Sequence, residues 1–148
     1  MPEIDILPFQ PEDQAAVKQL VLAGLAEHWG EIDPTKNPDL NDIPASYSKG
    51  TFLVARIQGR IVGCGALIPR AEKTGEIVRM SVAADMRRRG IARCILSQLI
   101  ELARNKGFNQ IILETTSTWT GVIEFYLRCG FHITHYKDGD VYFALELQ

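Results

Sequence analysis

Apolar residues recur along this chain with two different periods. Ile91, Ile95, Leu99, Leu102 and Ala103 fall at three- and four-residue steps, predicting a long amphipathic helix that opens at Gly90-Ile91-Ala92 and stops at Gly107. Ala16, Val17, Leu20, Val21 and Leu25 make a second helical stripe, entered through Pro11 and ending near Gly30. Shorter runs read as strands: Ile4 to Leu7, Thr51 to Ile57, Arg60 to Ile68, Glu76 to Val82 and Gln110 to Thr115. Gln58-Gly59 predicts a tight hairpin, Gly63 and Gly65 a weakened or bulged stretch, and Pro69 to Gly75 a polar turn. Glu124 to Cys129 reads as a short helix ended by Gly130, and Ile133 to Tyr136 and Val141 to Leu147 as a hairpin around Asp138-Gly139. From Glu31 to Gly50 the periodicity gives way to Pro34, Pro38, Pro44 and many Asn and Asp residues, which predicts a loop with room for one short helix.

The resulting order is β, α, loop, β, β, β, α, β, α, β, β. The continuous apolar middle of residues 110 to 115 suits a strand covered on both faces, and a strand, helix and strand in succession make a right-handed parallel crossover. With 148 residues, 46% of them hydrophobic and 23% charged, a single domain spanning 1–148 is expected. No apolar run approaches the ~20 residues needed to cross a bilayer, and Met1 to Asp5 lacks the basic and apolar regions of a signal peptide, so a cytoplasmic protein is expected. Cys64, Cys94 and Cys129 show no metal or disulfide spacing and read as reduced thiols. His132 and His135, at odd spacing in a strand, are expected on opposite faces, and with His28 they make no metal site.

Charge changes the picture at one place. The whole chain carries −2, but over residues 85 to 106 Arg87, Arg88, Arg89, Arg93, Arg104 and Lys106 against Asp85 and Glu101 leave a local +4. The amides of a helix N-terminus have no intrahelical partners and carry the positive end of the dipole, and a glycine there lets a ligand approach the backbone. An acidic protein with its positive charge gathered at one helix start suits a particular anion, not a nucleic acid. A Walker-type loop is absent, and Gly63-x-Gly65 lacks the third glycine of a dinucleotide fingerprint. The alternative is a solvated arginine run before an ordinary helix.

The pattern Arg87-x-x-Gly90-x-Ala92 resembles the acyl-CoA pyrophosphate loop of the GNAT superfamily of N-acetyltransferases. A second segment, Val122 to Phe131, resembles the family stretch that ends in Phe or Leu, Tyr, three residues, Gly and Phe. The resemblance is specific from about Glu76 to Phe131. It implies an α/β (α+β) fold: a mixed, twisted, mostly antiparallel sheet with one splayed parallel strand pair, flanked by helices. It also implies acetyl-CoA as co-substrate, with its pyrophosphate on the amides of Arg87, Arg88, Arg89, Gly90, Ile91 and Ala92. Backbone groups of Met80, Ser81 and Val82 would meet the pantetheine and the thioester carbonyl, and Tyr126 falls on the family's usual general acid. The asparagine common seven residues before that tyrosine is Trp119 here, which would contact the cofactor, shape the acceptor pocket or simply pack.

In the implied reaction a neutral amine attacks the thioester carbonyl, a tetrahedral oxyanion forms and the CoA thiolate leaves. That needs a base, an oxyanion donor and an acid for the sulfur. Glu76 is the candidate base, with an exposed strand-edge role as the alternative, and Glu27 and Glu114 are the other carboxylates to consider. Cys129, three residues from Tyr126, has no histidine placed to activate it and reads as a bystander thiol. Residues 27 to 42 hold Glu27, Glu31, Asp33, Asp39 and Asp42 against Lys36, which fits either a cationic acceptor or a solvated acidic loop. The acceptor would be a small-molecule amine or a protein or peptide amine, with no nucleic-acid or membrane partner and with a homodimer left open. Against the enzyme stands a second reading, an acyl-CoA-binding sensor module of the same fold.

Overall fold

A computed structural model describes residues 3–30 and 33–147. The elements are β1 (Asp5–Pro8), α1 (Gln14–Trp29), α2 (Ile43–Ser46), β2 (Thr51–Ile57), β3 (Arg60–Ala71), β4 (Thr74–Val82), α3 (Ile91–Asn105), β5 (Gln110–Thr116), α4 (Thr120–Arg128), β6 (His132–Lys137) and β7 (Asp140–Glu146). The strands form one sheet in the order β1-β2-β3-β4-β5-β7-β6, antiparallel throughout except for β4 and β5. This is the mixed, mostly antiparallel sheet with one parallel pair that the family resemblance implies. Among the described residues, no helix is long and apolar enough to cross a membrane.

Alternation along the central strands separates two cores. Leu53, Ala55, Leu67, Ile77, Ile111, Leu113 and Phe143 point to one face and pack against Ile91, Ile95, Leu96, Leu99 and Ala103 of α3. Phe52, Val54, Cys64 and Ala66 point to the other, against Val17 and Val21 of α1 and Leu40 and Ile43 from the segment before β2. Both faces of β2 and β3 are therefore covered, which is why those strands carry nearly unbroken apolar runs. Asp13, 2% exposed, pairs with Arg56 of β2 and accepts from the Gln10 amide at 2.9 Å, fixing the start of α1 against the sheet.

The Gln58-Gly59 turn has φ of 51° and 82°, and Asp138-Gly139 repeats this with 53° and 84°. Both are the twist-matched two-residue hairpins that the sequence predicts. Three sequence expectations need correction. Pro69 to Gly75 is not a polar turn: β3 runs on to Ala71 and β4 resumes at Thr74. A proline is tolerated there because β2 stops pairing at Leu67 and leaves that edge of β3 free. The short helix α4 starts at Thr120, not Glu124; its N-cap is Trp119, whose side chain makes no cap hydrogen bond, so no polar residue marks the start in the sequence. The segment before β2 does hold the one short helix expected there, α2, together with two 3₁₀ turns, Pro34–Lys36 and Pro38–Asn41, each with a proline in its first turn. Finally, a bulge at Thr134 shifts the register so that His132 faces Ala144 and His135 faces Tyr142, putting both histidines on one face.

Candidate active site

β4 and β5 pair only from Thr74 with Gln110 to Glu76 with Ile112, and beyond that point they diverge. A parallel pair that stops after three rungs leaves backbone groups of both strands facing a gap. The gap is a cleft of about 730 Å³ lined along β4 by Ile77 to Val82 and along β5 by Leu113 to Thr115. Gly24, Leu25 and His28 of α1 and residues 118 to 122, Phe125 and Tyr126 complete it. Met80, Ser81 and Val82 thus all line the cleft along β4.

One register irregularity shapes this wall. Cys64 pairs with Ser81 and Ala66 with Val78, so Gly65 alone faces both Arg79 and Met80. This bulge lies in β4, opposite Gly65, while β3 carries its own at Val62, beside Gly63. A Cβ on Gly65 would stand 2.4 Å from the Met80 Sδ, so only glycine leaves Met80 its place.

At the open end of β4 the chain passes through the arginine loop into α3. Gly90 caps the helix at φ 81°, a left-handed conformation that glycine adopts at no steric cost. A Cβ there would touch nothing within 4 Å, so the surface above the first amides of α3 is open. Ala92 and Arg87 line the cleft, while Arg88 and Arg89 are exposed beside it. The Ile91 side chain is 1% exposed and packs in the α3 core, so only its backbone is available to a ligand. Arg87 donates to Glu27 of α1 at 2.6 and 3.0 Å, which holds the Glu27 carboxyl below its ordinary range.

On the far wall Tyr126 is 6% exposed, its ring set edge-on to Phe125 and Phe131 with centroids 5.2 and 5.6 Å away, and it still borders the cleft. Burial raises its phenol above the ordinary value of 10.0, so it stays protonated throughout the neutral range. Trp119 stacks on His28, both of them lining the cleft, with ring centroids 4.0 Å apart at 22°, and meets Trp29 at 5.7 Å. His28 gave no signal in the sequence beyond its place at the end of an amphipathic helix.

The two carboxylates divide differently from the sequence expectation. Glu76 sits at the last rung before the strands part, is 7% exposed and is held in an ion pair by Arg70. It does not line the cleft. Glu114 does. It shares a sheet face with Tyr142, its partner across the ladder, and with Asp140 two rungs along. Partial desolvation, followed by hydrogen bonding with Asp140, raises its carboxyl above the ordinary value of 4.5, and the nearby charges of Asp140 and Glu76 add to the shift. That face is opposite the one on which Leu113 and Phe143 pack against α3.

The acidic segment before β2 is largely consumed by structure. Asp33 accepts from the Thr35 amide at 2.9 Å, Asp42 from the Ala45 amide at 3.2 Å, and Asp39 binds Arg79, while Glu31 lies outside the described residues. Cys129, its thiol raised by desolvation, is a poor nucleophile, as its sequence context suggests.

A strand pair splayed beside a glycine-opened helix start defines a class of protein, and comparison with known proteins agrees. Residues 16–131 match the acetyltransferase (GNAT) family, and the chain belongs to that family. It is 32% identical over 121 residues to N-acetyltransferase 8F1 of Rattus norvegicus, covering 76% of this chain and 54% of the rat protein, so it spans about half the length of that relative. It is 32% identical over 133 residues to the IAA acetyltransferase of Azospirillum brasilense, covering 88% of this chain and 86% of that one. In fold it matches a GNAT acetyltransferase of Staphylococcus aureus Mu50 with a TM-score of 0.90 at 22% identity, over 99% of this chain and all of the other. It also matches the PaiA N-acetyltransferase of Thermoplasma acidophilum in complex with coenzyme A, with a TM-score of 0.87 at 18% identity over 98% and 99% of the two chains.

Proposed function

We propose that this chain, acting as one domain over residues 1–148, moves an acetyl group from acetyl-CoA to a primary amine by direct attack. The observation that carries this reading is the cleft itself. The splay of β4 from β5 joins the open N-terminus of α3 at one end to Glu114 and Tyr126 further in. Relatives solved with coenzyme A or acetyl-CoA bound support the donor. The amides from Arg87 to Ala92 would receive the pyrophosphate, with Arg88 and Arg89 adding positive potential that salt screens. Backbone groups of Met80, Ser81 and Val82 would hold the pantetheine and polarise the thioester carbonyl.

The amine nitrogen bonds to the carbonyl carbon, the carbon–sulfur bond breaks, its electron pair leaves with the sulfur, and the second proton of the attacking nitrogen passes to that thiolate or to water. Glu114 accepts the proton of the ammonium, directly or through water, because it lines the cleft on the face not covered by α3. Glu76 is instead engaged by Arg70. Tyr126 donates to the departing sulfur. A phenol above 10 transferring its proton fully to a thiolate near 8.5 runs uphill by roughly 2 kcal/mol or more, so its contribution is a hydrogen bond before it is a transfer. Trp119 and His28 would form the wall of the acceptor side. A sensor that binds acyl-CoA without turnover is the second reading, favoured only by Trp119 standing in place of asparagine and stacked on His28.

Purified protein with acetyl-CoA and a panel of amines, followed by release of the CoA thiol, tests the proposal. Turnover with at least one amine class is expected. Tight acetyl-CoA binding without turnover on any amine would establish the sensor.

A further inference from the structure

Four non-glycine residues among those described have positive φ: Gln58, Arg79, Arg88 and Asp138. Three lie in turns or in the arginine loop. Arg79, at φ 57°, lies inside a strand, at the bulge of β4. Glycine takes this conformation freely, whereas a residue with a Cβ populates it about tenfold less readily, so an arginine here must be held.

Its side chain shows what holds it. The guanidinium forks onto Asp39, Nε to Oδ2 at 3.0 Å and Nη2 to Oδ1 at 2.7 Å, and Nη2 also reaches Asn37 Oδ1 at 3.1 Å. Asp39 is fixed in turn by the Tyr47 hydroxyl, which donates to Oδ2 at 2.5 Å. Burial alone would raise the Asp39 carboxyl, but the hydrogen bonds from Arg79 and Tyr47 together outweigh it and keep it ionised. On the backbone side the Cys64 thiol donates to the Arg79 carbonyl at 3.2 Å, and burial pushes that thiol up to about 12, so the donor proton is not lost. Bidentate arginine–carboxylate pairs fix orientation as well as distance. The next residues along β4, Met80 and Ser81, line the cleft with it.

We propose that Arg79 is a positioning residue: clamped by Asp39 from the segment before β2, its side chain keeps β4 in the bulged conformation that aims the Met80 and Ser81 backbone at the thioester. This rests on the reading that the cleft takes acetyl-CoA. It makes the segment around Asn37 to Tyr47 and the donor-binding strand one mechanical unit, although Asp39 lies 40 residues away in sequence.

The test compares two variants that remove the same side-chain contacts and differ only in backbone tolerance. Acetyl-CoA is titrated calorimetrically into Arg79→Ala, Arg79→Gly and Asp39→Ala in the absence of acceptor, and kcat/KM for acetyl-CoA is measured with an active amine. Arg79→Ala and Asp39→Ala should each lose about tenfold in affinity. Arg79→Gly should bind at least about fivefold more tightly than Arg79→Ala, and should partly rescue Asp39→Ala when the two are combined. A purely structural contact, or a direct charge contact to the ligand, predicts the reverse: glycine no better than alanine, and the double variant worst. Either result overturns the proposal, as does wild-type affinity in Asp39→Ala. Should Asp39→Ala fail to fold, Asp39→Asn weakens the same pair while keeping its shape, and the same ranking applies. A wild-type protein that binds no acetyl-CoA refutes the functional reading and this proposal with it; a wild type that binds, with variants in the wrong order, refutes only the clamp.

Discussion

If Glu114 takes the proton from the acceptor, Glu114→Gln keeps the shape of the side chain and its place opposite Tyr142 while removing the base. General-base loss usually costs 10²- to 10⁴-fold. Glu114 is exposed along the cleft wall, so water can partly substitute, and the low end, about 10²-fold in kcat, is the expected outcome. The pH profile is the sharper measurement. Desolvation and the Asp140 hydrogen bond raise the Glu114 carboxyl above 4.5, so it stays protonated, and inactive as a base, to a higher pH than an ordinary glutamate. Measured as kcat at saturating amine, the acid limb should therefore sit above 4.5, with activity lost as pH falls through it and complete above it. Asp140→Asn removes a neighbour that raises this value and should move the limb to lower pH. Glu76→Gln should cost much less turnover than Glu114→Gln. Glu114→Gln within about twofold of wild type, with an unmoved acid limb, would refute the assignment, and the opposite ranking of the two variants would return the role to Glu76.

In Tyr126→Phe the ring keeps its contacts with Phe125, Phe131 and Phe143, and only the hydroxyl is lost. Turnover should fall by about 10- to 10²-fold, the worth of roughly 1.5–3 kcal/mol for a hydrogen bond to a charged group, with acceptor KM nearly unchanged; normal kcat across pH leaves Tyr126 a packing residue. Gly90→Glu places a negative side chain above the α3 amides at a φ of 81° that side chains resist, so acetyl-CoA affinity should fall at least about tenfold; equal affinity in the folded variant rules the site out. Gly50→Ala would bring a Cβ to 2.4 Å from the Leu67 carbonyl oxygen and 3.2 Å from the Ile68 Cα, which are backbone atoms that cannot swing aside. Thermal unfolding should show a loss of about 1–3 kcal/mol, and an unchanged midpoint would show that β3 can shift.

The parts of this protein legible in the sequence are those governed by short-range physics. A 3.6-residue apolar period and a terminal glycine suffice for α3, and Asp138-Gly139 needs no partner to specify its turn. The arginine loop is readable for the same reason, because strand, glycine and helix start are contiguous. The limits of local reading show at Pro69, which is tolerated in β3 only because a neighbouring strand stops at Leu67. They show again at His132 and His135, which a one-residue bulge at Thr134 moves to the same face.

The chemistry of the candidate site belongs to the second kind. Glu76 and Glu114 are both glutamates on predicted strands, and no local property separates them. Which one lines the cleft follows from where the parallel pairing ends and from the partners that neighbouring strands bring, Arg70 of β3 to Glu76 and Asp140 of β7 to Glu114. In the same way, the acidic run before β2 reads as a uniform patch along the chain, but folding gives Asp33 and Asp42 to helix starts, Glu27 to Arg87 and Asp39 to Arg79. Apolar patterns persist in the sequence because burial depends on a residue's own periodicity. The partner of a charge is set by strand order and register, and contacts spanning 40 to 60 residues exist only once the sheet has closed.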